Sequence, residues 1–418
     1  MTRPWIAALV LLMFVITGGS ARGNQAVLDS LIAEALANNP SLKAAAFEAN
    51  GSRFSANAAG TLPDPEFSIG LMNLPRTSLA LDEVPMSGVS LGFSQMVPWP
   101  GKLKAASRIA RIDQQRDEVS IAAVRNRVIR EVTDAYYDYS YWKLGEGLID
   151  DNLELTKATV AVTEERYANG DATAHDVLMA QTTASRLEIR LLTARQMQQS
   201  AILELCRVVG DSSDAEDLSP YLPVPAVVFD DTSTISSNPY LLDADLATDR
   251  ARVKRSLSRS QYWPDIMLGV DYLARKAVPG DMSPGTDWVS VHVGLSVPLW
   301  FFSKQKNNVR ASEQMILSSQ QQQRAVSDRL REQVEDGRLN VRVLMESLQK
   351  YDNAIVPQAK AGYDAAEIAY EVGKIDFNAL LAAQVQLLDV QLERLDLVRR
   401  INRAKAMLSE LYGNESER

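Results

Sequence analysis

The sequence predicts a mainly α-helical protein with a smaller β part, in which two long helical hairpins and four strands come from one duplicated unit. Three observations support this fold class. A hairpin-tip motif occurs twice, long segments of helical periodicity flank each copy, and two pairs of segments alternate apolar and polar residues with a period of two. One unit used twice accounts for all three observations.

The duplicated motif places Tyr167 and Gly170 203 positions before Tyr370 and Gly373, and a Leu-x-Ala-Gln segment follows each pair. A chain reversal favours glycine, because glycine adopts positive φ angles without a steric cost. Each copy stands between two long segments with a helical pattern. We therefore predict that each copy forms the tip of a helical hairpin.

The helical segments on the two sides of each tip are long. The first extends from Lys102 to about Arg166 without an internal proline, and its counterpart begins at Lys304. Pro357 lies inside that counterpart and is expected to kink it, because proline removes a backbone hydrogen bond. The return arm of the second hairpin has the 4-3-4-3 spacing of a coiled-coil seam, at Leu381, Val385, Leu388, Leu392 and Leu395.

Four segments with a period of two are predicted strands, at about residues 66–74, 88–97, 265–274 and 288–298. Each has one apolar face and one face of mainly small or polar residues. Such strands suit either half of a soluble sandwich or a transmembrane β-barrel. Four strands cannot close a membrane barrel, which needs about eight. The membrane interpretation requires several copies of the chain to pool their strands, and the export signal and long helices favour it.

The first 21 residues are predicted to be a secretory signal peptide. Arg3 precedes an apolar run from Trp5 to Ile16, and small residues follow up to Ala21, after which cleavage is expected. The apolar run is shorter than the about 20 residues that a membrane-spanning helix needs. No cysteine lies near the cleavage site, so a lipid-modified N-terminus is not expected.

Composition argues against several functions. The net charge is −9, which disfavours nucleic acid as a partner, because nucleic-acid binding requires a clustered basic face. Two histidines and one cysteine are too few for a conventional zinc site, and we expect no cofactor. The chain has no His-Glu-x-x-His and no glycine-rich phosphate loop, so an enzyme is not expected.

These elements divide the chain into parts. Residues 1–21 are the signal peptide, and the first repeat covers 22–210, with its helical hairpin at 102–210. A connector rich in Asp, Ser and Pro covers 211–234 and is expected at the equatorial level, where the helices change partners. The second repeat covers 235–413, with its hairpin at 304–412, and a polar tail covers 414–418.

Two repeats of helix, strand pair and long helical hairpin resemble the TolC-like outer-membrane efflux proteins over essentially the whole mature chain. Within that family, Leu62–Pro65, Gly70–Pro75 and Gln95–Lys102 are similar to the heavy-metal, CusC/CzcC-like branch of cation efflux. The resemblance implies a homotrimer whose twelve strands form an outer-membrane β-barrel, continued by a twelve-helix α-barrel across the periplasm. Copper-type members are often lipid-anchored, and this chain lacks the cysteine for such an anchor.

The resemblance also implies a function. The protein would be the outer-membrane exit duct of a tripartite efflux system and would passively conduct heavy-metal cations such as copper and silver, or zinc, cobalt and cadmium. Its partners would be a periplasmic adaptor protein, an inner-membrane pump of the RND type and outer-membrane lipid. The alternatives are a duct for drugs or for type I protein secretion, and a periplasmic coiled-coil adaptor. An adaptor would show one hairpin flanked by lipoyl-like strands.

By resemblance, the hairpin tips, marked by Tyr167, Gly170, Tyr370 and Gly373, dock the adaptor. Relatives also narrow the pore at the tips with acidic side chains. The gate candidates in this chain are Asp176, Asp376 and Asp171. Rings of carboxylates select cations and repel one another. The alternative is that these aspartates only begin helices, where a negative charge is favoured in any case.

Three methionines, Met72, Met96 and Met267, fall on the small or polar side of the predicted strands. Thioethers are soft ligands suited to Cu(I) and Ag(I), so these residues are candidate metal contacts. The alternative is that they are flexible packing residues. His292 is expected on the same side, without a residue of ligand type close to it in the sequence.

Overall fold

The computed structural model describes residues 20–210, 218–224 and 235–413, with side chains from residue 25 onward. Residues 1–19 of the predicted signal peptide, most of the connector 211–234 and the tail 414–418 lie outside these ranges. Within the described ranges, no helix combines the length and the hydropathy of a membrane span.

The described chain is mainly helical. Its helices are α1 Ser20–Asn38, α2 Pro40–Ala58, α3 Pro100–Ala168, α4 Ala174–Val209, α5 Pro239–Ser260, α6 Lys306–Lys350, α7 Val356–Glu371 and α8 Phe377–Tyr412. Its strands are β1 Glu66–Met72, β2 Gly88–Val97, β3 Asp265–Arg275 and β4 Trp288–Ser296. The strands form one antiparallel sheet in the order β1-β2-β3-β4. The predicted fold class, long helices with a small four-stranded β part, is confirmed.

Two strand ends differ from the predicted ones for local reasons. β1 ends at Met72 because Asn73 adopts a φ of +53°, which turns the chain out of the extended conformation. β4 ends at Ser296, shortly before Pro298, and proline has no N–H to donate to a strand ladder.

The chain divides by packing into two compact units, each built from both sequence repeats. Unit 1 falls within Met1–Ala44, Ala122–Asn238 and Asp328–Arg418, and it contains both hairpin tips. Unit 2 is Ala45–Ile121 and Pro239–Ser327, and it contains the sheet. The units do not coincide with the sequence repeats. Strands of both repeats pair in one sheet, so each compact unit contains segments of both repeats.

In unit 1, two buried asparagines connect the ends of the return arms to the start of the next segment. Asn39 Nδ2 donates to the carbonyl of Val208 at 2.6 Å, while its Oδ1 accepts from the Ser41 amide at 2.9 Å. Asn238, at the matching place in the second repeat, donates to the carbonyl of Leu411 at 2.7 Å. Helix C-termini leave carbonyls without partners, and these side chains satisfy two of them. The Asn-Pro pairs in the sequence therefore join elements as well as begin helices.

The helix irregularity near Pro357, where a kink was expected, lies in the turn before the proline. Tyr351–Ile355 forms a π-helical turn between α6 and α7, and Pro357 stands in the first turn of α7. Proline cannot donate to the carbonyl four residues earlier, and its ring crowds that carbonyl. A wider π turn accommodates the missing bond without ending the helix.

Buried tyrosines of α3 hold the described part of the connector, residues 218–224. Tyr136 donates to the carbonyl of Ser219 at 2.8 Å, and Tyr139 donates to the carbonyl of Leu218 at 2.5 Å. Burial raises the pKa of Tyr136 to about 12, so its hydroxyl remains a donor across the physiological pH range. These aromatic residues therefore anchor the connector as well as pack between helices.

Candidate functional site: hairpin tips and sheet faces

The two hairpin tips have the same backbone hydrogen bonds. Gly170 N–H donates to Tyr167 O, and Gly373 N–H donates to Tyr370 O, each at 3.0 Å. In each tip the next amide bonds back to the carbonyl five residues earlier, at 2.8 Å, which completes a Schellman motif. The glycines have φ angles of +83° and +74°. A Cβ at either position would meet nothing within 4 Å, so the need for glycine is conformational.

Asp176 and Asp376 both stabilise the starts of the return helices. The Asp176 carboxylate accepts from the Thr173 amide at 2.9 Å, and Thr173 Oγ1 accepts from the Asp176 amide at 3.2 Å, which forms a capping box. Asp376 Oδ1 accepts from the Ala379 amide at 2.8 Å. The bonds from the Thr173 backbone amide and hydroxyl lower the pKa of Asp176, so this carboxylate stays charged. Both aspartates therefore have a local structural role.

Two side-chain contacts join the first tip to the second. Arg166 Nη1 donates to the Tyr370 hydroxyl at 2.6 Å, and the guanidinium carbon lies 5.2 Å from the centre of the tyrosine ring. Asn378 Nδ2 donates to Asp176 Oδ1 at 3.4 Å. The structure thus connects two predicted residues, Tyr370 and Asp176, each to the other hairpin.

Other predicted tip residues lie apart from these contacts. Tyr167 is 51% exposed, and the Asp171 side chain makes no hydrogen bond to any described residue. Arg166 and Asn378 were not among the tip residues predicted from the sequence. A signal for Arg166 was available, because the second copy of the motif has alanine at the matching place, Ala369. A difference between two otherwise similar tips marks a residue that only one of them uses.

The sheet has two unlike faces. The register places mainly small and polar side chains, with Leu273 and Trp288 at one end, on one face, called here the small-residue face: Glu66, Ser68, Gly70, Met72, Gly88, Ser90, Gly92, Ser94, Met96, Asp265, Met267, Gly269, Asp271, Leu273, Arg275, Trp288, Ser290, His292, Gly294 and Ser296. The opposite, apolar face carries Phe67, Ile69, Leu71, Val89, Leu91, Phe93, Ile266, Leu268, Val270, Val289, Val291, Val293 and Leu295. Most of these apolar side chains are exposed. An exposed apolar surface of this extent marks contact with lipid or with another molecule.

The structure brings two of the three predicted methionines together. Met96 on β2 is directly paired with Met267 on β3. Met72 pairs with Gly88, at the opposite end of β2. Strands rise by about 3.3 Å per residue, which puts Met72 about 26 Å from the other two. Among the described residues, no group of three or more His, Cys, Asp or Glu side chains is placed to hold a metal ion.

Long helical hairpins together with a sheet that exposes an apolar face are the architecture of an outer-membrane channel component. Comparison with known families agrees with this class. Residues 31–211 and 232–414 match the family model described as Outer membrane efflux protein, and the chain belongs to that family. The family consists of channels and not of enzymes, as expected from the sequence.

Relatives extend over nearly the whole chain. The cobalt-zinc-cadmium resistance protein CzcC of Cupriavidus metallidurans is 20% identical over 396 residues, which are 92% of this chain and 90% of CzcC. The outer membrane protein VceC of Vibrio cholerae is 20% identical with a TM-score of 0.79, covering 94% of this chain and 98% of VceC. CusC is 16% identical with a TM-score of 0.76, covering 93% of this chain and 92% of CusC. At these identities the solved structures establish the fold alone.

Proposed function

We propose that this protein is the outer-membrane exit duct of a tripartite efflux system for heavy-metal cations. The exposed apolar face of the sheet, opposite the small-residue face, is the observation that carries the proposal. A sheet of this kind suits lipid on one side and water on the other. Four strands cannot enclose a water-filled lumen, so three chains pool twelve strands into one barrel. The helical hairpins of the three chains continue the duct through the periplasm.

Aromatic residues at one end of the sheet support the assignment to a membrane. Trp99 follows β2, Trp263 precedes β3, and Trp300 follows β4, so all three lie at the same end of the antiparallel sheet. Trp99 and Trp263 stack with their ring centres 4.8 Å apart, and Trp300 is exposed. Aromatic girdles mark the water interfaces of membrane barrels. We assign this end to the periplasmic interface. In this proposal a signal peptide exports the protein, and the protein carries no lipid anchor.

The heavy-metal cargo is supported by the resistance named in the CzcC relative and by the segments that resemble its branch. The hairpin tips dock a periplasmic adaptor, which connects the duct to an inner-membrane pump of the RND type. The mature chain has two hairpins of one design, which favours a duct over a periplasmic adaptor module.

Cell-associated metal tests the cargo. Deleting the gene is expected to raise the cellular content of at least one of copper, silver, zinc, cobalt and cadmium, and the wild-type gene is expected to restore it. Element analysis of washed cells measures the effect. If no metal rises although the restored protein is found in the outer membrane, the metal cargo is contradicted and a duct for drugs or polypeptides is favoured.

We further propose that Asp176, with Asp171 and Asp376, forms the cation-selective gate at the tips of the trimer. Asp176→Asn removes the negative charge and keeps the helix cap, because the amide oxygen of asparagine can still accept from the Thr173 amide. We expect this variant to insert normally and to lose part of its preference for cations over anions, since three negative charges leave the pore. Reversal potentials across planar bilayers in a salt gradient measure the preference.

Asp151→Asn, on the exposed surface of α3, is the matched control for this measurement. It removes one charge per chain away from the tips and is expected to leave the reversal potential unchanged. The same reversal potential in Asp176→Asn and the wild type would remove Asp176 from the gate.

A further inference from the structure

Two thioethers are neighbours on the small-residue face. Met96 and Met267 are directly opposite each other in the β2–β3 pair. Side chains at such positions have Cβ atoms about 4.5–5.5 Å apart, so the two sulfur atoms can approach a common ion. Both side chains are accessible, with 40% and 37% of their surface exposed.

An oriented imidazole lies on the next strand. His292 Nδ1 lies 3.1 Å from Asp271 Oδ2, and the ring covers Gly269, where a Cβ would collide with the ring. Histidines that bind metal ions commonly have such a carboxylate beside one ring nitrogen, which orients the ring. His292 Nε2 has no hydrogen-bond partner among the described residues. This nitrogen is therefore the candidate ligand atom.

Two glycines lie next to these groups on the small-residue face. Met267 pairs with Gly294, and Gly269 pairs with His292, so the thioether and the imidazole occupy opposite corners of a four-residue square. The other two corners have no side chain. A Met267 side chain that extends along β3 therefore meets the His292 ring over Gly269 without obstruction.

We infer that Met96, Met267 and His292 form a binding site for a soft monovalent cation, Cu(I) or Ag(I), with Asp271 as the positioning residue. Two thioethers and one imidazole suit soft metals, whereas harder cations such as Zn²⁺ and Co²⁺ prefer ligand sets with more nitrogen, thiolate or oxygen donors. Met72, at the far end of the same face, is not part of the site.

This inference deepens the proposed function and rests on it for one point, the assignment of the small-residue face to the channel lumen. In a trimer the site occurs three times around the lumen. Conduction requires binding strong enough to attract an ion and weak enough to release it. Neutral thioether ligands, which add no negative charge, meet that condition better than a thiolate site would.

Silver binding to the purified, detergent-solubilised protein tests the site. Isothermal titration with AgNO₃ in chloride-free buffer is expected to show one site per chain in a Cys206→Ser background, which removes the free thiol as a competing ligand. The double variant Met96→Leu, Met267→Leu preserves side-chain volume and is expected to lose this site. Asp271→Asn is expected to weaken binding by about tenfold, as for other residues that orient metal ligands.

Met72→Leu is the matched control, because it removes a thioether from the same face outside the site. The inference is overturned if the Cys206→Ser protein binds no silver, or if the double methionine variant binds as tightly as Met72→Leu. X-ray absorption at the silver edge adds a direct check, with scattering from both sulfur and nitrogen expected.

Conductance measurements distinguish a failure of the metal-site inference from a failure of the proposed duct function. A protein that conducts in planar bilayers but binds no silver would disprove the site and leave the duct standing. A protein that binds silver but neither inserts nor conducts would disprove the duct and leave the site standing.

Discussion

Val291→Arg is expected to remove the protein almost completely from the outer membrane. Val291 lies at the middle of β4 on the apolar face and is 75% exposed. An arginine at the lipid-facing midplane of a barrel costs about 2–4 kcal/mol. The proposed trimer would carry three copies, so the cost is about 6–12 kcal/mol, which is comparable to the total stability of an ordinary domain. Fractionation of membranes and native electrophoresis of the trimer measure the result.

Ser290→Arg provides the matched control for this substitution. Ser290 is the neighbouring residue on the same strand, and its side chain belongs to the small-residue face. If that face lines a water-filled lumen, an arginine there meets water and the variant assembles normally. Equal amounts of the two variants in the outer membrane would contradict the assignment of the apolar face to lipid.

If the contact between the two tips holds the proposed channel closed, Arg166→Ala is expected to make the channel leak. The Arg166 guanidinium donates a hydrogen bond to the Tyr370 hydroxyl and makes a cation–π contact with the same ring. A hydrogen bond from a charged group contributes about 1.5–3 kcal/mol, and an exposed cation–π contact contributes about 0.5–1 kcal/mol. If both contacts break when the tips open, losing them shifts the closed-to-open equilibrium by about tenfold or more for each chain, because about 1.4 kcal/mol corresponds to tenfold. Single-channel conductance and the open fraction in planar bilayers measure the effect.

Two further variants make the experiment specific. Arg186→Ala removes an arginine from the exposed surface of α4, where its side chain makes no hydrogen bond or ion pair with any described residue, and should leave the open fraction unchanged. Tyr370→Phe retains the ring and loses only the hydroxyl, so an intermediate open fraction is expected. An Arg166→Ala channel with the wild-type open fraction would show that the contact between the tips does not hold the channel closed.

Local patterns in the sequence were sufficient to predict the helices and strands and to assign the two faces of each strand. A strand alternates its side chains with a period of two, so the apolar and small-residue faces follow from neighbouring residues alone. The positive φ angles of Gly170 and Gly373 are likewise local, because no neighbouring atom restricts either position. The same local reasoning accounts for the capping role that was weighed for Asp176 and Asp376.

Only the tertiary structure decided which of these residues meet. Met96 and Met267 belong to different repeats, and their pairing depends on the register of β2 against β3, which no local pattern specifies. His292 has no ligand-type residue near it in the sequence, yet β3 brings Asp271 to its ring. The contact of Arg166 with Tyr370 spans 204 positions. The sequence determines what each element is, while contacts between elements arise from packing, in which distant residues become neighbours.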